Sequence, residues 1–380
     1  MEKLYLLLTT CTILAYLYEH CTIQWKLKPK KIELIYFALM TIMICFGGFR
    51  GSYNDTWTYR DAYVYLIKGF PEDLDIISWE LGDNPAFLII ESILKTFDVE
   101  VHLFIMFFFF WTTLFYMHFV KKYSVDLTLT VYLFFTMGCY SFNMAAMKQC
   151  IATAFCLLAI PYAIEKKYFR FLLLICFAAL FHPYALMYII VPFLDFSPWK
   201  IGTFVVLVGI VVVGVLFQPL LGTVISITTA IGEEYTIDTF SGDGVGILRL
   251  VVVWSPVVLS FIYRKVLYAQ CDRKDRIFFH LTIVYAGILF VGLFGTALYF
   301  GRLSNYFSMM PVITLPWMIK KINYFYPRDS RIITIVVVIC YFIFFYFSHT
   351  IESDFASSYE ALTLIDFLRI FFGWLKGEYS

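Results

Sequence analysis

Charge is what this sequence has least of. Of its 380 residues, 29 are Lys or Arg and 28 are Asp or Glu, a charged share of 15%. An average soluble domain carries about 25%. The net charge of +1 offers no field to attract a polyanion, so nucleic acid is not among the expected partners. Chemical signatures are scarce too. The chain has no Gly-rich phosphate loop and no dinucleotide fingerprint. It has no H-E-x-x-H helix, no Cys/His ligand spacing and no carboxylate cluster at ligand spacing, so no metal and no cofactor is expected. It has no G-x-S-x-G turn. Chemistry here would use a substrate that arrives already activated and lies in a membrane. Nine cysteines never form a C-x-x-C pair, and Cys11, Cys45, Cys139, Cys150, Cys156, Cys176 and Cys340 lie within or at the ends of apolar runs. They read as buried thiols rather than a disulfide or metal framework.

Apolar residues are abundant instead, at 61%, with 42 Phe. A water-soluble globule of this size could not hide that surface, which excludes a cytosolic enzyme and a disordered chain. An outer-membrane barrel is excluded because its strands alternate. The expected fold class is all-α: a polytopic helical integral membrane protein. A span takes about 20 residues. Candidate spans are 4–19, 33–49, 101–120, 127–142, 145–164, 168–181, 184–197, 201–217, 247–268, 277–299, 303–319 and 331–349. Such a set of about 11–12 spans consumes most of the chain. Residues 1–380 then form a single membrane domain, with an outer segment at 50–100 holding interfacial or re-entrant helices. A Leu362-Ile365-Leu368-Arg369-Phe372 pattern makes 359–380 an interfacial C-terminal helix. Lys3 is too thin an n-region for a signal peptide, and no small-residue cleavage site follows, so Leu4 to Tyr18 reads as the first span.

Short cytoplasmic loops are enriched in Lys and Arg. Five basic loops should therefore face the cytoplasm: Lys26 to Lys31, Lys121-Lys122, Lys166 to Arg170, Arg264 to Arg276, and Lys320 to Arg331. Parity holds if 168–200 crosses as two short helices broken at His182-Pro183. Proline removes a backbone donor and disfavours helix in the residue before it. The unusual polar residues then collect on the outer side.

Five constellations there could carry chemistry. Asp55 can cap a helix starting near Thr56, and Asp55, Tyr59 and Tyr63 fall on one face. With Arg50, Tyr53, Trp57 and Arg60 they suit a carbohydrate platform or, more plainly, an aromatic belt. Lys148 and Gln149, after Asn143, open a helix whose N-terminus and cation together attract an anion. The plain alternative is a snorkelling lysine. His182 is either a general base or acid or a satisfied structural histidine. Arg302 shares a helix face with Asn305, Tyr306 and Met309, and an outer arginine runs against the positive-inside preference. Arg249 follows a loop with Glu233, Glu234, Asp238 and Asp243 and is the weakest signal.

In order along the chain stand Phe49-Arg50 through Asp55 and Tyr59, then N-P-A-F-L-I-I-E, and then Asn143 with Lys148-Gln149-x-Ile-Ala. A Lys-Lys loop, Ala179-Leu180-Phe181-His182 and Arg302-Leu303-Ser304-Asn305-Tyr306-Phe307 follow. This ordered set, over about residues 45–320, resembles the EpsG-like branch of Wzy-type bacterial polysaccharide polymerases. The family usually has Arg-Gln where this chain has Lys148-Gln149, and lysine lacks the bidentate fork.

The resemblance implies a metal-independent glycosyltransferase of the bacterial inner (cytoplasmic) membrane. It would join undecaprenyl-diphosphate-linked repeat units at the periplasmic or outer face. It implies Asp55 or His182 as base and Arg50, Lys148, Arg249 and Arg302 on the diphosphate. Tyr53, Trp57, Tyr59, Asn143, Gln149 and Asn305 would hold sugars. Expected partners are undecaprenyl-diphosphate-linked glycans, membrane lipid, a chain-length regulator and a flippase. A flippase or transporter of the same lipid-linked units, or a structural subunit of a glycan-assembly complex, stands as the alternative.

Overall fold

The structure, a computed structural model, describes residues 1–23, 29–75, 80–230, 232, 236–240, 242–352 and 355–377. Lys26, Lys28, Glu233 and Glu234 lie outside them. Almost everything described is helical. α1 (Glu2–Ile23) and α2 (Pro29–Gly48) pack on each other. Strand β1 (Arg50–Ser52), α3 (Thr56–Asp61) and α4 (Pro85–Thr96) make up the expected outer segment. The bundle continues with α5 (Val101–Tyr123), α6 (Leu127–Thr136), α7 (Cys139–Ala145), α8 (Met147–Ile164) and α9 (Tyr168–Ala179). A 3₁₀ helix (Pro183–Leu194), α10 (Ile201–Val215), α11 (Phe217–Ala230), α12 (Ile247–Ile262) and α13 (Arg264–Leu267) follow. Then come α14 (Arg273–Val291), α15 (Ala297–Ser304), α16 (Met309–Phe325), α17 (Pro327–Phe347), α18 (Phe355–Ser358), β2 (Glu360–Ala361) and α19 (Leu364–Leu375).

Three described helices are long and apolar enough to cross a membrane: Val101–Tyr123, Met147–Ile164 and Pro327–Thr350. Several others are shorter or broken, and the breaks described next have local causes. The expected span 127–142 is divided into α6 and α7, because Gly138 takes a left-handed φ of 79°. The expected span 201–217 is instead the first arm of a bent pair: α10 and α11 meet at 93°, and α11 runs on to Ala230. Pro219 sits in the first turn of α11, where its missing N–H is not needed. The break at His182-Pro183 falls where expected, but the second arm is a 3₁₀ helix of 12 residues. Pro183 and Pro192 deprive it of two donors. At about 2.0 Å per residue, 3₁₀ geometry stretches that short segment to roughly 24 Å, where an α-helix would reach about 18 Å. Ile201, Val205, Ile335 and Ile339 are among many exposed apolar side chains, the perimeter a lipid environment requires. The chain is a polytopic helical membrane protein.

The described loop charges sort to two ends. At one end Asp195 pairs with Arg273 at 2.5 Å and with Arg276 at 2.7 Å. Lys121 pairs with Glu33 there, Glu19 accepts from the first amides of α6, and Lys321 donates to the Leu267 and Gln270 carbonyls. At the other end β1 pairs antiparallel with β2, with Arg50 opposite Ala361 and Ser52 opposite Glu360. This ribbon ties the outer segment to the C-terminal part of the chain. Beyond it α19 leaves Leu364, Ile365, Leu368 and Phe372 exposed along one side.

Candidate active site

The site is assembled at the start of α8. Ala146 (φ −107°, ψ 75°) interrupts the helical path after α7, and α8 restarts with Met147, Lys148 and Gln149 in its first turn. A helix start leaves backbone N–H groups without intrahelical partners and carries partial positive charge. The Lys148 ammonium rests 5.2 Å from the centre of the Phe87 ring and forms no ion pair among the described residues. Gln149 Nε2 donates to the Arg302 carbonyl at 2.5 Å, which pins α15 to α8. Arg302 Nη2 donates to Asp55 Oδ2 at 2.8 Å. His182, at the turn between α9 and the 3₁₀ helix, holds the Tyr306 hydroxyl at 2.8 Å through Nδ1.

Asp55, Tyr59, Lys148, Gln149, His182 and Arg302 line one cavity of about 140 Å³. All six were sequence candidates. Asn84, Tyr184, Tyr299 and Tyr306 complete much of its wall, with the Tyr299 and Tyr184 hydroxyls 3.1 Å apart.

The other six candidates do not line it. Arg50 is fully buried. Its Nη1 donates to the Gly47 carbonyl at 2.6 Å, its Nε to Thr56 Oγ1 at 3.2 Å, and its guanidinium lies 5.2 Å from the Phe109 ring centre. It therefore braces the end of α2, where a cation suits the helix dipole. Burial lowers its pKa to about 10, which leaves it charged at neutral pH. Tyr53 is buried against Phe355, 5.1 Å between ring centres. Trp57 is exposed, stacked under Arg60 at 5.0 Å. Asn143 is buried on α7 and donates to Thr113 Oγ1 at 3.2 Å. Asn305 closes its own turn by donating to the Gly301 carbonyl at 2.9 Å. Arg249 lies against Gly301, where an added Cβ would come within 3.4 Å of Nη1.

One local expectation is corrected. The Asp55 side chain makes no cap bond to α3, because its carboxylate is turned to Arg302. Tyr63 does not line the cavity with Asp55 and Tyr59. The chain widens into a π turn over Ala62–Leu66, and the Tyr63 ring stacks on Phe104 at 4.3 Å while its hydroxyl donates to the Val99 carbonyl.

The two candidate bases sit in different surroundings. Burial, reinforced by Lys148 and Arg302, lowers His182 to about 3, so its imidazole is neutral. Asp55 is partly exposed. Glu91 lies on α4, which at 12 residues is too short to span, and is 2% exposed. Burial raises it to about 8, with Lys148 opposing and Asp73 adding to the shift. Its folded value lies above the ordinary 4.5, so its contribution to stability is complete below about 4.5 and lost as pH rises through about 8. Glu91→Gln is expected to flatten the thermal midpoint of the purified protein between about pH 5 and 8. An unchanged slope would remove Glu91 as its source. Among the described residues no group of three or more His, Cys, Asp or Glu is placed to hold a metal ion.

Residues 33–362 match the EpsG family model. The chain belongs to the EpsG family. No curated protein and no solved structure matches it. EpsG is a Wzy-like family of polysaccharide polymerases, which gives this membrane protein a polymerase-type role in polysaccharide synthesis. The EpsG match contains every cavity residue and extends past the 45–320 of the sequence resemblance to take in α17 and β2.

Proposed function

We propose that this EpsG-family protein joins undecaprenyl-diphosphate-linked oligosaccharide repeat units into a surface polysaccharide at the outer face of the cytoplasmic membrane. One observation carries the reading. Asp55 and Arg302, 247 positions apart, meet at 2.8 Å on a cavity that Lys148 and the start of α8 also face. A carboxylate for a proton and cations for a diphosphate are what this transfer needs.

In the proposed step the acceptor hydroxyl of one unit attacks the anomeric carbon of the other. A C–O bond forms there and the C–O bond to the diphosphate breaks. The lipid diphosphate leaves with the electron pair, and the hydroxyl proton passes to the Asp55 carboxylate. Arg302, Lys148 and the α8 amides offset the leaving charge. The Asp55–Arg302 pair is partly exposed, and such pairs contribute only about 0.2–1 kcal/mol. An incoming diphosphate takes Arg302 and frees Asp55 for its role as base. Neutral His182 orients the Tyr306 hydroxyl. An apolar groove of about 530 Å³ lined by Leu6, Leu7, Ile42, Phe46, Phe49 and Leu362 has the chemistry to receive the polyprenyl tail.

The test is genetic. A deletion strain is expected to accumulate lipid-linked single repeats and to lose long-chain glycan on a gel. Long-chain glycan in that strain would reject the reading.

A further inference from the structure

We propose that Tyr184 and Tyr299 form the seat for the sugar ring bonded to the diphosphate, an inference that rests on the polymerase reading. Four tyrosines line the cavity: Tyr59, Tyr184, Tyr299 and Tyr306. Two of them are engaged elsewhere. Tyr306 is 0% exposed, and its hydroxyl is held by His182 Nδ1 at 2.8 Å. The Tyr59 ring leans on Phe87, 5.9 Å between centres. Tyr184 and Tyr299 are both partly exposed. They come from different elements, the 3₁₀ helix and α15, and the Tyr299 hydroxyl donates to the Tyr184 hydroxyl at 3.1 Å. Their rings stand nearly perpendicular, at 84°, with centres 6.2 Å apart. Neighbours hold this corner. Phe240 packs on Tyr299 at 4.7 Å, and the His182 ring lies 5.5 Å from Tyr184.

The chemistry of the corner suits a sugar. A sugar ring presents C–H groups as well as hydroxyls. Aromatic rings are broad apolar surfaces with an electron-rich face, which suits the first, and phenolic hydroxyls donate and accept, which suits the second. The place of the corner suits the sugar next to the diphosphate. Tyr299 stands three residues before Arg302 on α15, so the two share a helix face with a rise of about 4.5 Å between them. A ligand whose anion meets Arg302 brings its neighbouring group within reach of Tyr299. In a lipid-linked unit that group is the sugar ring, one C–O bond from the phosphate. Undecaprenyl diphosphate that has given up its glycan has no ring to place there, so the corner distinguishes the loaded lipid from the spent one.

The experiment compares Tyr299→Leu and Tyr299→Phe in membrane vesicles fed lipid-linked repeat units extracted from the deletion strain, with undecaprenyl diphosphate as inhibitor. Leucine removes the ring; phenylalanine keeps it and removes the hydroxyl. Tyr299→Leu is expected to raise the half-saturating concentration of the units about tenfold, and Tyr299→Phe by about threefold or less. The inhibition constant of undecaprenyl diphosphate, which carries no sugar, should stay within about twofold of the parent in both. Tyr184→Leu should repeat this split, and it decides the question if Tyr299→Leu does not accumulate in the membrane. Equal rises in both constants would mean that the tyrosines only shape the cavity and would overturn the proposal, as would an unchanged half-saturating concentration in the leucine variants. A parent that elongates the units but is not inhibited by undecaprenyl diphosphate would overturn the placing of the sugar beside Arg302. Failure of the parent vesicles to elongate the units would reject the polymerase reading itself.

Discussion

Asp55→Asn is expected to lower polymer formation by about 10²–10⁴-fold at unchanged protein level, the range general-base catalysis supplies. Asparagine matches aspartate in shape and still offers an oxygen to Arg302 Nη2, now 2.8 Å from Asp55 Oδ2, so the cavity keeps its walls. What is removed is the capacity to take the acceptor proton. The comparison is His182→Gln. Glutamine can accept from or donate to the Tyr306 hydroxyl, as a neutral imidazole can, so the loss should be much smaller. The two variants separate the two candidate bases by repeat number on a gel and by the amount of unpolymerised lipid-linked unit. A dead His182→Gln beside an active Asp55→Asn would reverse the assignment. Geometry opposes that reversal, because the Asp55 carboxylate faces Arg302 on the cavity while the His182 imidazole is engaged with the Tyr306 hydroxyl.

The parts of this molecule legible in the sequence are those written locally. The break at His182-Pro183 was readable because proline acts on its own residue and the one before it. The apolar runs gave the helical membrane class in the same way, and Pro219 was an available signal for the bend after α10 that went unused. The site was half legible. Lys148 and Arg302 stood out as cations in excess of those that orient the chain. Their meeting did not, since Gln149 reaches Arg302 across 153 positions and Arg302 reaches Asp55 across 247. Arg50 misled for a related reason. Its folding back onto Gly47 and Phe109 depends on α5 being present, which no local pattern records. Tyr184 and Tyr299 were invisible in a chain that is 21% aromatic, because one more tyrosine carries no contrast. Asn84 was within reach as a cavity residue, since an asparagine before the proline that opens a helix is a turn signal.

Arg302→Ala should cost about 10²–10³-fold in polymer formation, the scale seen when one preorganised group facing developing charge is removed. The fold should survive it. Gln149 holds α15 through the Arg302 backbone carbonyl, not its side chain, and the lost ion pair is partly exposed and contributes at most about 1 kcal/mol. Lys148→Ala should cost less, since its ammonium is a point charge beside helix amides that remain. Arg302→Lys should fall between, keeping the charge but losing the fork that holds a phosphate while releasing Asp55. The pairing with Asp55 sharpens the test. If Arg302 both masks the carboxylate and receives the diphosphate, the losses from Asp55→Asn and Arg302→Ala will not add, because each removes part of one exchange. Strict additivity in that double-mutant cycle would mean that the two groups act apart. Normal chain length in Arg302→Ala and Lys148→Ala at normal protein level would take the diphosphate out of this cavity altogether.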